Sequence, residues 1–292
     1  MEKRRLSLTN QDTQTKSSRL DGKVAVITCG GSGIGRAITL RFAANGATVR
    51  IPDVNQKDAT ETCQQITAKG GNASALPCDV TSQEEVTSRF DEFASSGPIH
   101  ILVNNAGVSH IGSLENTTEA DFERTFQVNV KGFYNCMYAS VARMRANGGG
   151  VILNMASIAG SSGLSDRFAY SMSKSAVIAM TYSVAKDYLC HNIRCNCISP
   201  ARVHTPFVDD YLRNVYPGRE KEMFEKLSKA QTIGRMAEPE EVASLALFLC
   251  SDEASFITGA DYPLDGGFLN LRGYPIDLHS LTSTRKKRGK AV

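Results

Sequence analysis

A glycine-rich turn between an apolar strand and a helix constrains the fold of this chain most. Residues 26–38 read VITCGGSGIGRAI: a β-branched run ends at Thr28, four glycines fall within six positions, and apolar residues resume at helical spacing. Glycine allows positive φ and lets a phosphate approach the backbone. The helix that follows directs unpaired N–H groups and its positive dipole end at the turn. The predicted site for a nucleotide pyrophosphate comprises Gly31, Ser32, Gly33, Ile34 and Gly35.

Cys29 stands in the tightest part of this turn, where glycine is usual. If the thiol lines the turn, the helix N-terminus is predicted to lower its pKa and to make it sensitive to oxidation. The alternative is a thiol that points into the sheet as a small apolar side chain. Gly30 and Gly31 lie beside it and can absorb the strain that its Cβ adds.

Short β-rich runs alternate with helical stretches from residue 20 to residue 272. The predicted strands are KVAVIT, ATVRIP, ASALPC, IHILVN, GVILNMAS and NIRCNCIS, with a seventh near residues 260–264. The predicted helices are 34–45, 56–69, 82–95, 119–146, 168–190 and the segment EPEEVASLALFLC. This alternation indicates parallel strands joined by right-handed crossovers. We expect one α/β domain: a doubly wound parallel sheet of about seven strands with helices on both faces, which binds ligands where the strand order reverses.

The charge distribution separates a globular body from two basic ends. Residues 1–19 carry a net charge of +3 and residues 273–292 one of +4, and since the whole chain carries +3, the body between them carries −4. A mildly acidic globule is not expected to bind nucleic acid. No stretch approaches the roughly 20 apolar residues that span a bilayer, so no membrane segment is expected. We predict a disordered leader over 1–19, the domain over 20–272 and a basic tail over 273–292.

Both ends leave alternatives open. The leader lacks the apolar segment of a secretory signal, but its Ser/Thr content also fits a transit peptide. The run RKKRGK is read as a solvated tail, or alternatively as a nuclear address or an anion patch. The eight cysteines form no C-x-x-C pair, which favours reduced thiols in a cytoplasmic enzyme and no metal site.

Asp53 indicates which dinucleotide is bound. It ends the second predicted strand, 18 residues after Gly35. An acid at that place accepts both ribose hydroxyls of an adenosine and repels a 2′-phosphate, which favours NAD over NADP. Alternatively, Asp53 is a turn residue or the N-cap of the next helix. Two further strand ends complete the predicted cradle, with Asp79, Val80, Asn105, Ala106 and Gly107.

The run YSMSK carries the predicted catalytic groups. Tyr170 and Lys174 are four residues apart, so they share one helix face. A free tyrosine has a pKa of about 10, and the nearby ammonium is predicted to lower that value. Ser157 follows a predicted strand, and Asn129 lies in the helix after TEADFERTFQ. We expect these four side chains to converge beside a nicotinamide.

With these motifs in this order, the chain resembles the short-chain dehydrogenase/reductase family over roughly residues 20–272. The resemblance rests on TCGGSGIG, CDVT, NNAG, Asn129, the serine of MASIAG, YSMSK and ISPARVHTP. It implies a Rossmann-type single domain, a homotetramer, and hydride transfer between a nicotinamide and a carbonyl or an alcohol. Cys29 and Ala201 depart from the family pattern, because both place a Cβ where glycine is usual.

The resemblance also implies a role for each matching residue. Tyr170 is the general acid/base, Ser157 polarises the substrate oxygen, and Asn129 holds a water of the proton relay. Lys174 binds the nicotinamide ribose and lowers the pKa of Tyr170. Three residues after the sixth strand complete the cofactor site: Pro200, Val203 and Thr205.

Basic and polar side chains indicate the substrate. The polar and aromatic segment 202–235 is read as a substrate lid, or alternatively as a surface helical hairpin without function. The side chains expected to face the substrate are His110, Arg167, Arg202 and His204. A guanidinium is well shaped for a carboxylate. The alternative is that the arginines pair with surface acids.

Together these residues favour NAD-dependent oxidation of a secondary alcohol in a sugar acid or a polyol. Arg167 and the stretch PARVHTPF resemble family branches that oxidise sugar acids, such as the 2-keto-3-deoxy-L-fuconate dehydrogenases, and Arg167 also resembles the cytosolic 3-hydroxybutyrate dehydrogenases. One alternative is an NADPH-linked 3-oxoacyl reductase, which Asp53 disfavours. Another is a catalytically silent NAD-binding scaffold, which the intact catalytic residues disfavour.

Overall fold

A computed structural model describes residues 19–271 of the chain, so the predicted leader (apart from Arg19) and the predicted basic tail lie outside the described residues. These residues form one parallel sheet in the order β3-β2-β1-β4-β5-β6-β7. The strands are β1 (Val24–Ile27), β2 (Thr48–Asp53), β3 (Asn72–Pro77), β4 (Ile101–Asn104), β5 (Gly150–Met155), β6 (Ile193–Pro200) and β7 (Asp261–Leu264). The order reverses between β1 and β4, which opens a crevice beyond their carboxyl ends.

Helices cover both faces of the sheet. They are α1 (Gly33–Ala44), α2 (Gln56–Ala68), α3 (Gln83–Ser95), α4 (Glu119–Phe126), α5 (Gly132–Ala146), α6 (Phe168–Asp187), α7 (Pro206–Val215), α8 (Glu220–Lys229) and α9 (Pro239–Cys250). Helices α1 and α9 bury Ile38 and Ala246 on one face, where α2 also packs. Helices α3, α5 and α6 bury Phe90, Phe133 and Val177 on the other. The prediction of a doubly wound α/β domain is confirmed.

Strand β1 is apolar throughout because both of its faces are covered. In β1, Ala25 and Ile27 belong to one core and Val26 to the other, as the two-residue period of a strand requires. Because the sheet is parallel, the residues just beyond β1, β4, β5 and β6 all lie at the same edge of the sheet.

Two predicted helices differ from the observed ones. The predicted helix 119–146 consists of α4, a π-helical turn (Gln127–Lys131) and α5. The predicted helix 168–190 ends at Asp187, and a 3₁₀ turn follows. Hydrophobic spacing does not distinguish such turns from regular helix. Among the described residues, no helix is long and apolar enough to cross a bilayer.

All eight cysteines are free thiols. The buried ones are Cys78, Cys136, Cys195, Cys197 and Cys250. Burial raises the pKa of each of these five thiols. They consequently behave as small apolar core side chains.

Candidate active site

A cavity of about 660 Å³ opens at the carboxyl edge of the sheet. Its wall includes Cys29 after β1, Asn105 after β4, Ala156 after β5 and Ala201 after β6. The cavity thus lies beside the reversal of strand order, where doubly wound sheets bind ligands. Its volume is in the range of small-molecule and cofactor pockets.

The glycine turn forms one end of the cavity. Ser32, the N-cap residue of α1, makes no side-chain capping bond, and the first turn of α1 holds no acid, so its N–H groups are available to an anion. Gly33 has φ +51°, and a Cβ on Gly35 would lie 2.1 Å from the Cys29 carbonyl oxygen. The turn therefore requires these glycines and fits a pyrophosphate. Of its predicted residues, Ser32, Gly33 and Ile34 line the cavity, whereas Gly31 and Gly35 do not.

Cys29 lines the cavity with its backbone in the left-handed region, at φ +53°. This conformation is unfavourable for a residue with a Cβ. Burial, together with the Asp53 carboxylate, raises the pKa of the thiol to about 11. The prediction of a lowered pKa is therefore wrong, because burial and the nearby carboxylates outweigh the hydrogen bond from Ser32.

Asp53 supports the turn from the end of β2. One carboxylate oxygen accepts a hydrogen bond from the Gly31 N–H at 3.1 Å, and the other accepts from the Asn55 N–H at 2.9 Å. Burial raises the pKa of this carboxyl group. The alternative reading as an N-cap is wrong, since Asn55 caps α2 through Asp58. Asp53 contacts the turn but is not part of the cavity wall.

The other two strand ends contribute unequally. Asn105 and Gly107, after β4, line the cavity. Asp79 accepts a hydrogen bond from the Thr81 N–H at 2.9 Å and, like Val80 and Ala106, is not part of the wall. Beyond β6, the predicted cofactor residues all line the cavity: Pro200, Val203 and Thr205. A Cβ on Gly33 would lie 3.6 Å from Thr205, so the glycine turn and this segment face each other.

Asn129 joins the loop after β4 to α6. It is fully buried in the π-helical turn, where its Oδ1 accepts from the Val108 N–H at 2.8 Å and its Nδ2 donates to the Val108 carbonyl at 2.9 Å. Its Nδ2 also donates to Ser173 Oγ at 3.0 Å, and Ser173 in turn donates to the Tyr170 carbonyl at 2.8 Å. Ser173 was not predicted, although it lies one helical turn from Tyr170. The Asn129 side chain thus positions the loop and the helix relative to each other.

Ser157, Tyr170 and Lys174 meet in the cavity wall. The Lys174 ammonium donates to the Met155 carbonyl at 2.7 Å and lies 5.8 Å from the centroid of the Tyr170 ring. Burial lowers the pKa of Lys174 to about 8. Ser157 begins the 3₁₀ turn Ile158–Gly160, and its hydroxyl accepts from the Ala159 N–H at 3.2 Å.

Gly160 sets the distance between this turn and α6. A Cβ at that position would lie 2.8 Å from both the carbonyl carbon and the carbonyl oxygen of Lys174. Real Cβ atoms do not approach backbone so closely, so only glycine allows the turn to rest on the helix. The result is that Ser157 faces Tyr170 across a short gap.

The pKa of Tyr170 differs from the prediction. It lies above the ordinary value because burial outweighs a hydrogen bond from Ser157 and the positive charge of Arg167. The prediction of a lowered pKa is wrong for the polypeptide alone. The ammonium of Lys174 is directed at the Met155 carbonyl, and the cation that favours the phenolate is Arg167.

Two of the four predicted substrate residues line the cavity, namely Arg167 and Arg202. The other two face elsewhere. His110 contacts Thr117 Oγ1 at 3.2 Å, and the His204 ring contacts an Asp209 oxygen at 3.0 Å. Neither histidine is part of the wall.

The cavity wall is cationic. Arg167, Lys174 and Arg202 lie in it, and no Asp or Glu does. Within residues 19–271, neither arginine forms an ion pair with an acid. Arg202 is exposed as a residue, but partial desolvation of its guanidinium, followed by the positive charge of Arg167, lowers its pKa. The alternative that surface acids neutralise these arginines is wrong for the described chain.

Helices α7 and α8 form the outer wall of the cavity, from within the predicted lid segment 202–235. Further lining residues, which the sequence does not mark, include Val208, Leu227, Gln231 and Met236. Each comes from a region without strand or catalytic motifs, so no local pattern marks it. The segment borders the candidate site directly.

Comparison with known proteins gives the same assignment from sequence and from structure. The profile of a family described as enoyl-(acyl carrier protein) reductase matches residues 30–269. The dehydrogenase/reductase SDR family member 6 of Xenopus laevis is 39% identical over 251 residues, which are 86% of this chain and 98% of the relative. The 2-keto-3-deoxy-L-fuconate dehydrogenase of Xanthomonas campestris is 35% identical over 257 residues, 88% of this chain and 83% of the relative.

Two solved structures are similar over most of the chain. A 7α-hydroxysteroid dehydrogenase in complex with NADH and 7-oxo glycochenodeoxycholic acid is 36% identical, with a TM-score of 0.79 over 86% of this chain and 95% of that one. The L-sorbose reductase of Gluconobacter frateurii in complex with NADPH and L-sorbose is 31% identical, with a TM-score of 0.84 over 87% and 99%. These neighbours bind different nicotinamide cofactors and chemically different substrates.

Proposed function

The chain belongs to the short-chain dehydrogenase/reductase family, and from this premise we propose that it oxidises a secondary alcohol in a small acidic substrate with NAD. Membership makes it an oxidoreductase of alcohols and ketones that uses a nicotinamide dinucleotide. The observation that carries the finer proposal is the cationic wall, with two arginines free of acid partners and no carboxylate. Such a wall suits a carboxylate-bearing substrate, most simply a sugar acid.

In the proposed mechanism, Tyr170 takes the proton of the substrate hydroxyl. Ser157 hydrogen-bonds the same oxygen and orients it. The bound nicotinamide supplies the hydride acceptor. Lys174 binds its ribose, and Asn129 keeps the loop after β4 in register with α6. Asn129, Ser157 and Lys174 are buried and Tyr170 is half-buried, so the arrangement limits the access of bulk water to the reacting hydroxyl.

The proposed cofactor site combines the glycine turn with residues at four strand ends. The N–H groups at the start of α1 bind the pyrophosphate, and Asp53 discriminates against a 2′-phosphate from its position beneath the turn. The further residues assigned to this site are Asp79, Val80, Asn105, Ala106, Gly107, Pro200, Val203 and Thr205. The assignment of NAD rests on the charge of Asp53.

Replacing Asp53 by asparagine should narrow the preference for NAD over NADP by roughly tenfold or more, since a charge-assisted hydrogen bond contributes about 1.5–3 kcal/mol. Asparagine keeps the size and one of the two acceptor oxygens, so it removes the charge and one of the hydrogen bonds from the Gly31 and Asn55 N–H groups. The measurement is kcat/KM with each cofactor, with Glu61→Gln, an exposed acid on α2, as the control. A ratio equal to that of the parent would show that Asp53 does not discriminate.

Replacing Arg202 by alanine should raise KM for an acidic substrate roughly 10–150-fold, the loss expected for a hydrogen bond to a charged group. A neutral polyol should be affected little. Arg202 gives a cleaner test than Arg167, whose charge also acts on Tyr170. The matched control is Arg219→Ala, because Arg219 lies on the surface in an ion pair with Glu222. Equal losses on the acid and the polyol would contradict a role in binding carboxylate.

The proposed enzyme is a cytoplasmic homotetramer. Tyr134 and Tyr138 on α5 are exposed and stack at a centroid distance of 5.9 Å, and Phe168 at the start of α6 is also exposed. Exposed aromatic side chains such as these favour burial against another subunit.

A further inference from the structure

Gln231 lines the active-site cavity, and its side-chain Oε1 is buried without a hydrogen-bond partner. Among the described residues, six side-chain atoms are buried without a hydrogen bond: Thr39 Oγ1, Asn104 Oδ1, Asn135 Oδ1, Ser140 Oγ, Ser171 Oγ and Gln231 Oε1. Of these six residues, only Gln231 lines the cavity. Buried polar groups normally have partners, so an orphan beside a binding site indicates a missing ligand group.

The backbone holds Gln231 firmly in this place. Its N–H donates to the Ser228 carbonyl at 3.0 Å, and its own carbonyl accepts from the Gly234 N–H at 2.8 Å. The residue follows α8 directly and is only 3% exposed. The hydroxyl of the neighbouring Thr232 donates to the Gly267 carbonyl at 3.3 Å. This hydrogen bond connects the loop to the segment that follows β7. The amide is therefore presented by a fixed loop.

The chemistry of the amide defines what it can bind. The guanidinium groups of Arg167 and Arg202 offer donors only, whereas the Gln231 amide offers an acceptor as well as donors. A carboxylate of the substrate is served by the arginines. A hydroxyl both donates and accepts, and the amide can accept from its O–H as well as donate to its oxygen, whereas a guanidinium can only donate.

We propose that the Gln231 amide binds a second hydroxyl of the substrate, remote from the one that is oxidised, and thereby selects polyhydroxylated acids over hydroxy acids with a plain alkyl chain. This inference rests on the proposed function and narrows it. A site built to hydrogen-bond a substrate hydroxyl rejects the analogue without it, because the buried polar group is then left unpaired.

The test compares Gln231→Met with the parent on three kinds of substrate, with NAD: six-carbon aldonates, their monodeoxy analogues and 3-hydroxybutyrate. The parent should prefer an aldonate to 3-hydroxybutyrate. Gln231→Met should lower kcat/KM for that aldonate roughly 10–150-fold, and for 3-hydroxybutyrate by less than about threefold. For one monodeoxy analogue, the parent should show a kcat/KM as low as that of Gln231→Met with the full aldonate. Gln231→Met should then show no further loss of kcat/KM with that monodeoxy analogue.

Controls separate recognition from folding. Met236→Leu changes the same wall without altering a polar group, and it should affect the aldonate and 3-hydroxybutyrate alike. Melting temperature and NADH binding, followed by fluorescence, should be unchanged in Gln231→Met, since methionine fills a similar volume. If that variant does not fold, Gln231→Leu replaces it, and the parent's deoxy series remains an independent readout.

The results of these assays distinguish a failure of the inference about Gln231 from a failure of the proposed function. If Gln231→Met lowers all substrates equally or none, or if no deoxy analogue is poor with the parent, the inference is overturned while the proposed acid dehydrogenase stands. If the parent turns over none of the acids with NAD or NADP, the proposed function fails and this inference fails with it. A parent that prefers 3-hydroxybutyrate to every aldonate overturns the inference alone.

Discussion

Phenylalanine in place of Tyr170 is expected to lower kcat by at least about 10³-fold, because proton transfer by a positioned side chain contributes roughly 10²–10⁴-fold and no other phenol in the wall is paired with Ser157. Cofactor binding should change little, since the substitution removes one oxygen from a buried ring. The measurements are steady-state turnover and the dissociation constant of NADH. Tyr182→Phe, an exposed tyrosine on the same helix, is the control.

The pH profile gives a second check on Tyr170. Burial raises its pKa above the ordinary value, and oxidation of an alcohol requires the phenolate. The rate of oxidation should therefore climb from neutral into alkaline pH, whereas the rate of ketone reduction, which requires the phenol, should be flat at neutral pH. Arg167→Ala should displace the oxidation profile further towards alkaline pH, because it removes a charge that favours the phenolate. A variant Tyr170→Phe with near-parental turnover would assign the proton transfer to another group.

Methionine in place of Lys174 should abolish efficient turnover and at the same time stabilise the protein. The folded state lowers the pKa of this lysine from 10.5 to about 8, which corresponds to a destabilisation of roughly 3 kcal/mol when the ammonium is protonated. Loss of the charge-assisted hydrogen bond to the Met155 carbonyl removes about 1.5–3 kcal/mol of that gain. We expect a net stabilisation of up to about 1.5 kcal/mol at pH 7, or an increase in melting temperature of up to about 6 °C.

The sign of the pH dependence distinguishes this effect from general repacking. Because the pKa of Lys174 is lower in the folded state, the unfolded state binds more protons between about pH 8 and the ordinary value of 10.5. In the parent, Lys174 therefore adds stability as the pH rises through that window. The advantage of Lys174→Met should be largest below pH 8 and should shrink above it. Denaturant titrations at several pH values measure this, with the exposed Lys186→Met as the control, and a pH-independent difference would contradict the assignment.

The fold and the meeting of Ser157, Tyr170 and Lys174 in one cavity were predictable because their signals are local. A strand followed by a bare turn fixes the position of the glycine turn, and the spacing of Tyr170 and Lys174 fixes their common helix face. Ser157 follows a strand whose end is anchored on both sides. In each case a few neighbouring residues determine the geometry, and the parallel sheet brings the pieces to one edge.

The remaining features depend on contacts between distant segments, which no single pattern carries. The rise in the pKa of Tyr170 comes from burial by the whole domain, and the opposing charge comes from Arg167 and not from the lysine one turn away. Gln231 lies in a loop without repeat or motif, and its importance is visible only as an unpartnered atom beside a cavity. His110 and His204 are the opposite case. Both were predicted to face the substrate, but their side chains contact Thr117 and Asp209 and do not line the cavity.

The π-helical turn at Gln127–Lys131 has a consequence for how this helix tolerates insertions and deletions. A π-helical turn contains one residue more than an α-helical turn. The extra residue rotates all following side chains about the helix axis by about 100°. Asn129 can thus face Val108 while Phe133, only four residues later, packs into the core under the sheet. The surface around Asn129 and the surface around Phe133 require different helical phases, and the π-helical turn lets one continuous helical segment carry both. Removal of a single residue here would give a more regular helix, but it would misalign either the contact of Asn129 with Val108 or the packing of Phe133 in the core. Both contacts therefore depend on the extra residue of the π-helical turn.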